Sequence, residues 1–253
     1  MYPMPFLFFA LGVIVASFVG VVVARLNTNQ GFLGGRSRCD SCGEALTFAA
    51  LVPVFSYLAT RGHAQCCGAR LTPRAPLSEL ALGVLFVLAY HLLGLSWALA
   101  FFLIALALLL ALVLYDLAHQ ILPTSLLVPF VVVSALAGFF IAPSLAAYAQ
   151  DVLAAVAIAG VLFAIHFFSR GRAMGFADAP FAFGLSLLTG PAAFPGFVFS
   201  FWIGAGIGIV LLLSRPRGSR MGVEVPFAPF LAAGFILAFF TQWNPFAFVT
   251  VMF

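Results

Sequence analysis

Long apolar runs dominate this sequence and restrict what it can fold into. Of its 253 residues, 64% are hydrophobic and only 7% are charged. A membrane-crossing helix needs about 20 consecutive apolar residues. Eight candidate runs lie near residues 5–24, 77–93, 96–115, 121–142, 149–168, 176–193, 196–214 and 226–243. The sequence therefore predicts an all-α polytopic membrane protein with about eight transmembrane helices.

The basic residues predict the orientation of these helices. All eleven are arginines, and they fall in the gaps after the first, fifth and seventh runs: Arg25, Arg36, Arg38, Arg61, Arg70, Arg74, Arg170, Arg172, Arg215, Arg217 and Arg220. Positive charge favours the cytoplasmic side, so these gaps are predicted to be cytoplasmic and the N-terminus to lie outside, with the first run retained as a helix. The net charge of +4 then reflects orientation and contact with lipid headgroups, and we expect no nucleic-acid partner.

A three-part organisation follows: a first transmembrane helix (1–26), a cysteine-containing cytoplasmic loop domain (27–76) and a membrane domain of about seven helices (77–253). All four cysteines lie in the loop. Thiols stay reduced in the cytoplasm, which favours a metal over disulfides.

Two short cysteine segments in the loop predict a structural zinc site. Cys39 and Cys42 form a C-x-x-C-G knuckle, which is typical of zinc ligation. The second knuckle is irregular because Ala64 stands where the pattern requires cysteine. Either Cys66 or His63 would then complete the ligand set with Cys67. The alternative is a group of reduced cysteines that pack without metal.

Two aspartates are the candidate catalytic residues. Asp116 ends the third apolar run, and Asp178 opens the sixth, just after Gly175 and Ala177. Acids in membrane segments are costly and usually functional. Both are predicted near the cytoplasmic side, which suggests one shared site. Glu79 has two interpretations: a first-turn acid, paired with Arg74, or a residue near the active site.

The residue types present favour a carboxylate mechanism for hydrolysis within the membrane. A metalloprotease would show H-E-x-x-H, whereas the four histidines are scattered. No serine stands beside a recognisable base. Two nearby carboxylates can share one proton, so that one activates water while the other donates to the scissile carbonyl. A proton-coupled transporter using Asp116 and Asp178 is an alternative, but no internal repeat is evident.

The sequence resembles the type IV prepilin peptidase family, relatives of the G-x-G-D intramembrane aspartic proteases. The matching motifs cover nearly the whole chain: Ser17-Phe18, Arg25-Leu26, the cysteine knuckles, 52–58, Arg61-Gly62, 73–79, Asp116, Leu122-Pro123, 174–178 and 226–230. The resemblance implies cleavage of the basic leader of type IV prepilins or pseudopilins, after a glycine, at the cytoplasmic face of the bacterial inner membrane. It also implies methylation of the new N-terminus with S-adenosylmethionine in many members.

Three positions depart from the family pattern. Ala177 replaces the usual glycine before the second aspartate, Pro180 replaces the usual lysine after it, and Ala64 replaces a cysteine. Three alternatives stay open: an intramembrane aspartic protease with another substrate, a catalytically silent pilin-binding relative, which Pro180 favours, and the transporter.

Overall fold

The computed structural model describes residues 3–27, 39, 41–45, 47, 52–214 and 225–245. Over these residues the chain forms helices and contains no β-strand, so the all-α class is confirmed. The α-helices are α1 (Met4–Arg25), α2 (Phe55–Ala59), α3 (Arg74–Leu93), α4 (Trp97–His119), α5 (Thr124–Ile141), α6 (Leu145–Ser169), α7 (Asp178–Thr189), α8 (Ala193–Ser214) and α9 (Ala228–Thr241). Arg36, Arg38, Arg215, Arg217 and Arg220, on which the orientation partly rests, lie outside the described residues.

The eight apolar runs coincide with helices, although not every helix is a full crossing. In the described part of the chain, six stretches are long and apolar enough to span a membrane. One is Asp178–Ser214, in which a short 3₁₀ turn, Gly190–Ala192, joins α7 to α8. Helix α7 alone has 12 residues, about 18 Å at 1.5 Å per residue, which is less than the roughly 30 Å hydrocarbon core. The shorter α9 has 14 residues.

The chain divides into two compact units, Met1–Gly94 and Leu95–Phe253. The first contains α1, α2, α3 and the cysteine residues. The second contains α4 to α9. The predicted boundaries at residues 26 and 76 separate the cytoplasmic loop domain from the membrane helices on either side. They remain a prediction.

In the first unit, α1 and α3 pack with their backbones in direct contact. A Cβ atom added to Gly12 would lie 2.7 Å from the Cα of Gly83 and 2.8 Å from the carbonyl oxygen of Leu82. Only glycine leaves room for such an approach, and close packing through small residues is a main source of helix association in lipid.

Replacing Gly12 with leucine is expected to destabilise the protein by about 2–3 kcal/mol, because the backbone of α3 blocks the new side chain. Gly20 provides a matched control on the same helix, since a Cβ there would meet no described atom within 4 Å. Thermal unfolding in detergent micelles measures the effect. Equal melting temperatures for Gly12→Leu and Gly20→Leu would contradict the close α1–α3 packing.

In the second unit, α7 forms the centre of the packing. Nine of its 12 residues are buried, among them Phe181, Ala182 and Leu185 with no exposed surface. Its sequence is apolar around the whole circumference, which suits a helix enclosed by others. Its first residue, Asp178, is therefore anchored to the most enclosed element of the unit.

Close packing in α8 occurs at a different glycine from those the sequence suggests. Gly204, Gly206 and Gly208 form a small-residue pattern that predicts a helix contact. A Cβ at Gly204 would lie 3.4 Å from the Phe230 ring on α9, whereas a Cβ at Gly206 or Gly208 would meet no described atom within 4 Å. The tight approach lies at Gly196, where a Cβ would be 2.7 Å from the Cα of Phe235 on α9.

Candidate active site and cysteine cluster

Asp116 lies in the last turn of α4 and is 5% exposed. It does not cap α5, whose N-cap residue is Pro123. Instead, the backbone N–H of Ala228 donates to its carboxylate. Ala228 is the first residue of α9, and the first N–H groups of a helix have no partner within the helix. Thus the start of α9 supplies a main-chain donor to an acid 112 residues earlier in the sequence.

The second carboxylate oxygen of Asp116 is not satisfied. Its Oδ2 atom is buried and has no hydrogen-bond partner among the described residues. A buried oxygen without a partner carries a large desolvation cost, and such groups often mark functional sites. This oxygen is available to a water molecule or a substrate group.

Asp178 is the first residue of α7, where the helix dipole favours a carboxylate. Its Oδ2 accepts a hydrogen bond from the N–H of Gly175 at 3.1 Å. A Cβ on Gly175 would lie 3.3 Å from that same oxygen, so glycine suits this close contact. Ala177 has φ −68° and ψ −17°, a helical conformation open to any residue, so the backbone does not require glycine there.

Pro180 is also compatible with its position. It is the third residue of α7, within the first turn, where N–H groups have no partner inside the helix. The substitution of the usual lysine therefore leaves the start of the helix intact.

The structure brings the two predicted acids together. Asp116 lies near enough to Asp178 for the two carboxylates to interact electrostatically. They come from the end of α4 and the start of α7. Asp116 lies at the start of α9, and α9 packs against both α4 and α7.

His166 is a further residue beside this site. Its Nδ1 lies 2.9 Å from the carbonyl oxygen of Met174. Its ring packs edge-on against the ring of Phe176, with 5.7 Å between the ring centroids. It therefore fixes the turn that leads into Asp178, and it also interacts electrostatically with that acid. Met174 lies only eight residues after His166 in the sequence. No sequence pattern in the turn between them predicts this hydrogen bond.

Glu79 is not a first-turn acid, so that interpretation is wrong. Helix α3 begins at Arg74 and has no acid in its first turn. Glu79 lies in the second turn, is 7% exposed, and accepts a 2.8 Å hydrogen bond from the N–H of Val54. It belongs to the first compact unit, whereas Asp116 and Asp178 belong to the second.

The four cysteines converge. The sulfurs of Cys39, Cys42, Cys66 and Cys67 all lie within 4.8 Å of one another. Cys39 and Cys67 are 3.8 Å apart, and Cys42 and Cys66 are 3.3 Å apart. A tetrahedral zinc with bonds of about 2.3 Å separates its sulfurs by roughly 3.8 Å. The group can hold a metal ion.

The two knuckles share one backbone pattern, which explains the irregular second one. The N–H of Gly43 bonds to the carbonyl of Cys39, and the N–H of Gly68 bonds to the carbonyl of Ala64, each at 2.8 Å. Both glycines have positive φ. Ala64 therefore occupies the place of Cys39, and Cys66 supplies the fourth sulfur from the interior of its knuckle. The ring of His63 faces the carbonyl of Arg61 instead, at 3.1 Å.

The thiols differ in acidity for identifiable reasons. Backbone N–H groups of Cys42 and Ser41 donate to the sulfur of Cys39 and lower the pKa of its thiol from 9.0 to about 6. Hydrogen bonding with Cys42 and Cys39 raises the pKa of the Cys66 thiol to about 12. Four adjacent sulfurs cannot all ionise without a compensating cation. A divalent metal would supply that charge, because thiolates are metal ligands.

Comparisons with known proteins agree with this architecture. The Bacterial Peptidase A24 N-terminal domain matches residues 10–93, and the Type IV leader peptidase family matches residues 103–213. Relatives named prepilin leader peptidase/N-methyltransferase include one from Bacillus subtilis, 31% identical over 91% of this chain and 92% of its own length. One from Myxococcus xanthus is 35% identical over 83% of this chain. The match covers 63% of the length of that relative. No solved structure matches the chain.

The fold and site define a multi-pass helical membrane protein that carries two electrostatically interacting carboxylates and a four-cysteine cluster. The chain belongs to the type IV leader peptidase family. Its apolar helices and its family indicate a multi-pass protein of the bacterial inner membrane.

Proposed function

We propose that this protein is a prepilin leader peptidase that cleaves type IV prepilins or pseudopilins with an aspartate dyad. The observation that carries the proposal is the electrostatic interaction between the carboxylates of Asp116 and Asp178 in a chain of this family. One carboxylate activates a water molecule while the other, protonated, donates to the scissile carbonyl. The unpartnered Oδ2 of Asp116 supports a place for that water.

The roles of the surrounding residues follow from their contacts. The N–H of Gly175 orients Asp178, and the N–H of Ala228 orients Asp116. Ala177 provides the helical start that places Asp178 at the N-terminus of α7. All three act on the acids through the backbone rather than through chemistry of their own.

The orientation and the domain division belong to the same proposal. The N-terminus lies outside, and the cysteine loop (27–76) lies on the cytoplasmic side, where the basic leader of the substrate remains. The seven-helix region (77–253) carries the dyad and contacts membrane lipid. The arginine distribution supports this arrangement.

The cysteine cluster is proposed to bind one structural zinc through Cys39, Cys42, Cys66 and Cys67. The relatives' name also supports N-methylation of the new N-terminus, for which S-adenosylmethionine supplies an electrophilic methyl group. The chain's own residues would bind this donor and hold the amine beside it.

Leader cleavage by the purified full chain tests the proposal. The protein is mixed with several prepilins in detergent micelles, and the loss of the leader is followed by mass spectrometry. We expect a cut directly after a glycine at the end of the basic leader. A folded protein that cleaves none of these substrates would instead favour the pilin-binding or transporter alternative.

His166→Phe is expected to lower kcat for leader cleavage roughly tenfold with little change in KM, because the turn before Asp178 loses its anchor to the Met174 carbonyl. His91→Phe is the matched control on α3, outside the unit that holds the dyad. The conservative His166→Gln variant should recover part of the rate, since its amide can donate to the same carbonyl. A parental kcat for His166→Phe would remove this residue from the positioning of Asp178.

A further inference from the structure

A cavity of about 470 Å³ lies within the first compact unit, beside the cysteine cluster. We call it the Glu79 cavity. Its wall includes Ser17, Val54, Tyr57, Arg70 and Glu79, and Cys39 of the cysteine cluster also lines it. Its volume falls in the range of roughly 300–1,000 Å³ that is typical of pockets for small molecules and cofactors.

Glu79 is the buried acid in the wall of this cavity. The side chain is 7% exposed, and its partners among the described residues are two neutral donors, the N–H of Val54 and the hydroxyl of Ser17. Neutral donors satisfy lone pairs but do not cancel the charge. A buried carboxylate is stabilised further by a cation, and a ligand can supply one.

A strained turn holds the wall of the cavity next to this carboxylate. Val54 has φ +60° and ψ −50°, and the N–H of Phe55 bonds to the carbonyl of Pro53 at 2.6 Å. This is the γ-turn with positive φ, which is rare and strained, above all for a β-branched residue. Strain of this kind persists where the surroundings enforce it, and it clusters at ligand sites. Here Glu79 enforces it through the Val54 N–H.

The remaining polar groups favour a zwitterionic ligand with a flat ring. Arg70 is exposed and lines the same cavity, so it is available to a carboxylate. Glu79, deeper inside, suits an ammonium group. Tyr57 offers an aromatic ring in the wall, and such rings stack on or edge against planar bases.

We propose that the Glu79 cavity binds the methyl donor, an adenosyl sulfonium amino acid of the S-adenosylmethionine type. The Glu79 carboxylate pairs with the ammonium of its amino-acid end, and Arg70 pairs with the carboxylate of that end. The inference rests on the proposed function, whose methylation it assigns to the first compact unit. It concerns binding and is independent of peptide cleavage.

The experiment measures ligand binding by the purified full chain in lipid nanodiscs, by isothermal titration calorimetry. Three probes are used: S-adenosylmethionine, its demethylated product S-adenosylhomocysteine, and 5′-methylthioadenosine, which lacks the amino-acid end. We expect Glu79→Gln to weaken the first two at least tenfold and to leave the third unchanged. Glutamine still accepts the Val54 N–H, so the turn is kept. Arg70→Gln, a change at an exposed residue, should also weaken the first two, and Asp151→Asn on α6 serves as the control.

The outcomes separate this inference from the proposed function. Selective loss of the two amino-acid ligands in Glu79→Gln and Arg70→Gln supports the assignment. A parent protein that cleaves leaders but binds none of the probes overturns the assignment and leaves the peptidase in place. Parental affinities in both variants overturn it as well. If the parent neither cleaves nor binds, the proposed function fails and the inference fails with it.

Discussion

Asp178→Asn and Asp116→Asn are each expected to reduce leader cleavage on the order of 10³-fold, because each removes the titratable group of a general acid–base pair. Asparagine keeps the shape and an acceptor oxygen, so the Gly175 and Ala228 N–H groups retain a partner. The double variant should be no slower than the slower single variant, since residues that act as one unit are not additive. Cleavage rates in micelles, measured at equal protein concentration, provide the test.

The control for this prediction is Asp151→Asn, which removes an acid from α6 without touching the dyad. It should cleave at the parental rate. If either dyad variant retains cleavage within tenfold of the parent, that residue does not act as the acid or the base. Thermal unfolding of each variant separates chemistry from loss of fold.

The second large effect is expected from the cysteine cluster. The purified protein should carry about one zinc ion per chain, and Cys66→Ser should lose most of it, whereas His63→Ala should retain it. In the described part of residues 39–71, Cys39 and Ala64 are the buried hydrophobic side chains. So small a core cannot stabilise a folded domain without a metal or a cross-link. Binding of a structural zinc is worth on the order of 10 kcal/mol, so the loop domain should unfold without it.

Elemental analysis and limited proteolysis measure these effects. A strong chelator applied to the parent should reproduce the proteolytic pattern of Cys66→Ser, with new cuts confined to the loop. Zinc retention in Cys66→Ser together with loss in His63→Ala would reverse the ligand assignment. A metal-free parent with a protease-resistant loop would favour the alternative of reduced cysteines that pack without metal.

Hydropathy was sufficient to predict the helical class, because a run of apolar residues has few other stable environments. It could not predict that α7 is only 12 residues long, since its enclosure by neighbouring helices depends on tertiary packing. The two acids were found because charge is rare in such a chain. Their electrostatic interaction across the fold, and the donor at Ala228, depend on helix ends that are far apart in the sequence.

The less predictable features are those that oppose local preference. Nothing in the sequence marks Val54 for positive φ, since valine is among the residues least suited to it. The buried Glu79 that holds this turn lies 25 residues further on. The second knuckle was ambiguous for a similar reason: a shift of one cysteine from position 64 to 66 can be interpreted only when the backbone of both knuckles is known.

Backbone N–H groups donate the hydrogen bonds that both carboxylates accept. The N–H of Gly175 tethers Asp178, and the N–H of Ala228 tethers Asp116. A main-chain donor is present whatever side chain its residue carries, proline excepted. Positions whose side chains do not support the acids can therefore change so long as the helix ends remain, and alanine at 177 and proline at 180 are two such changes.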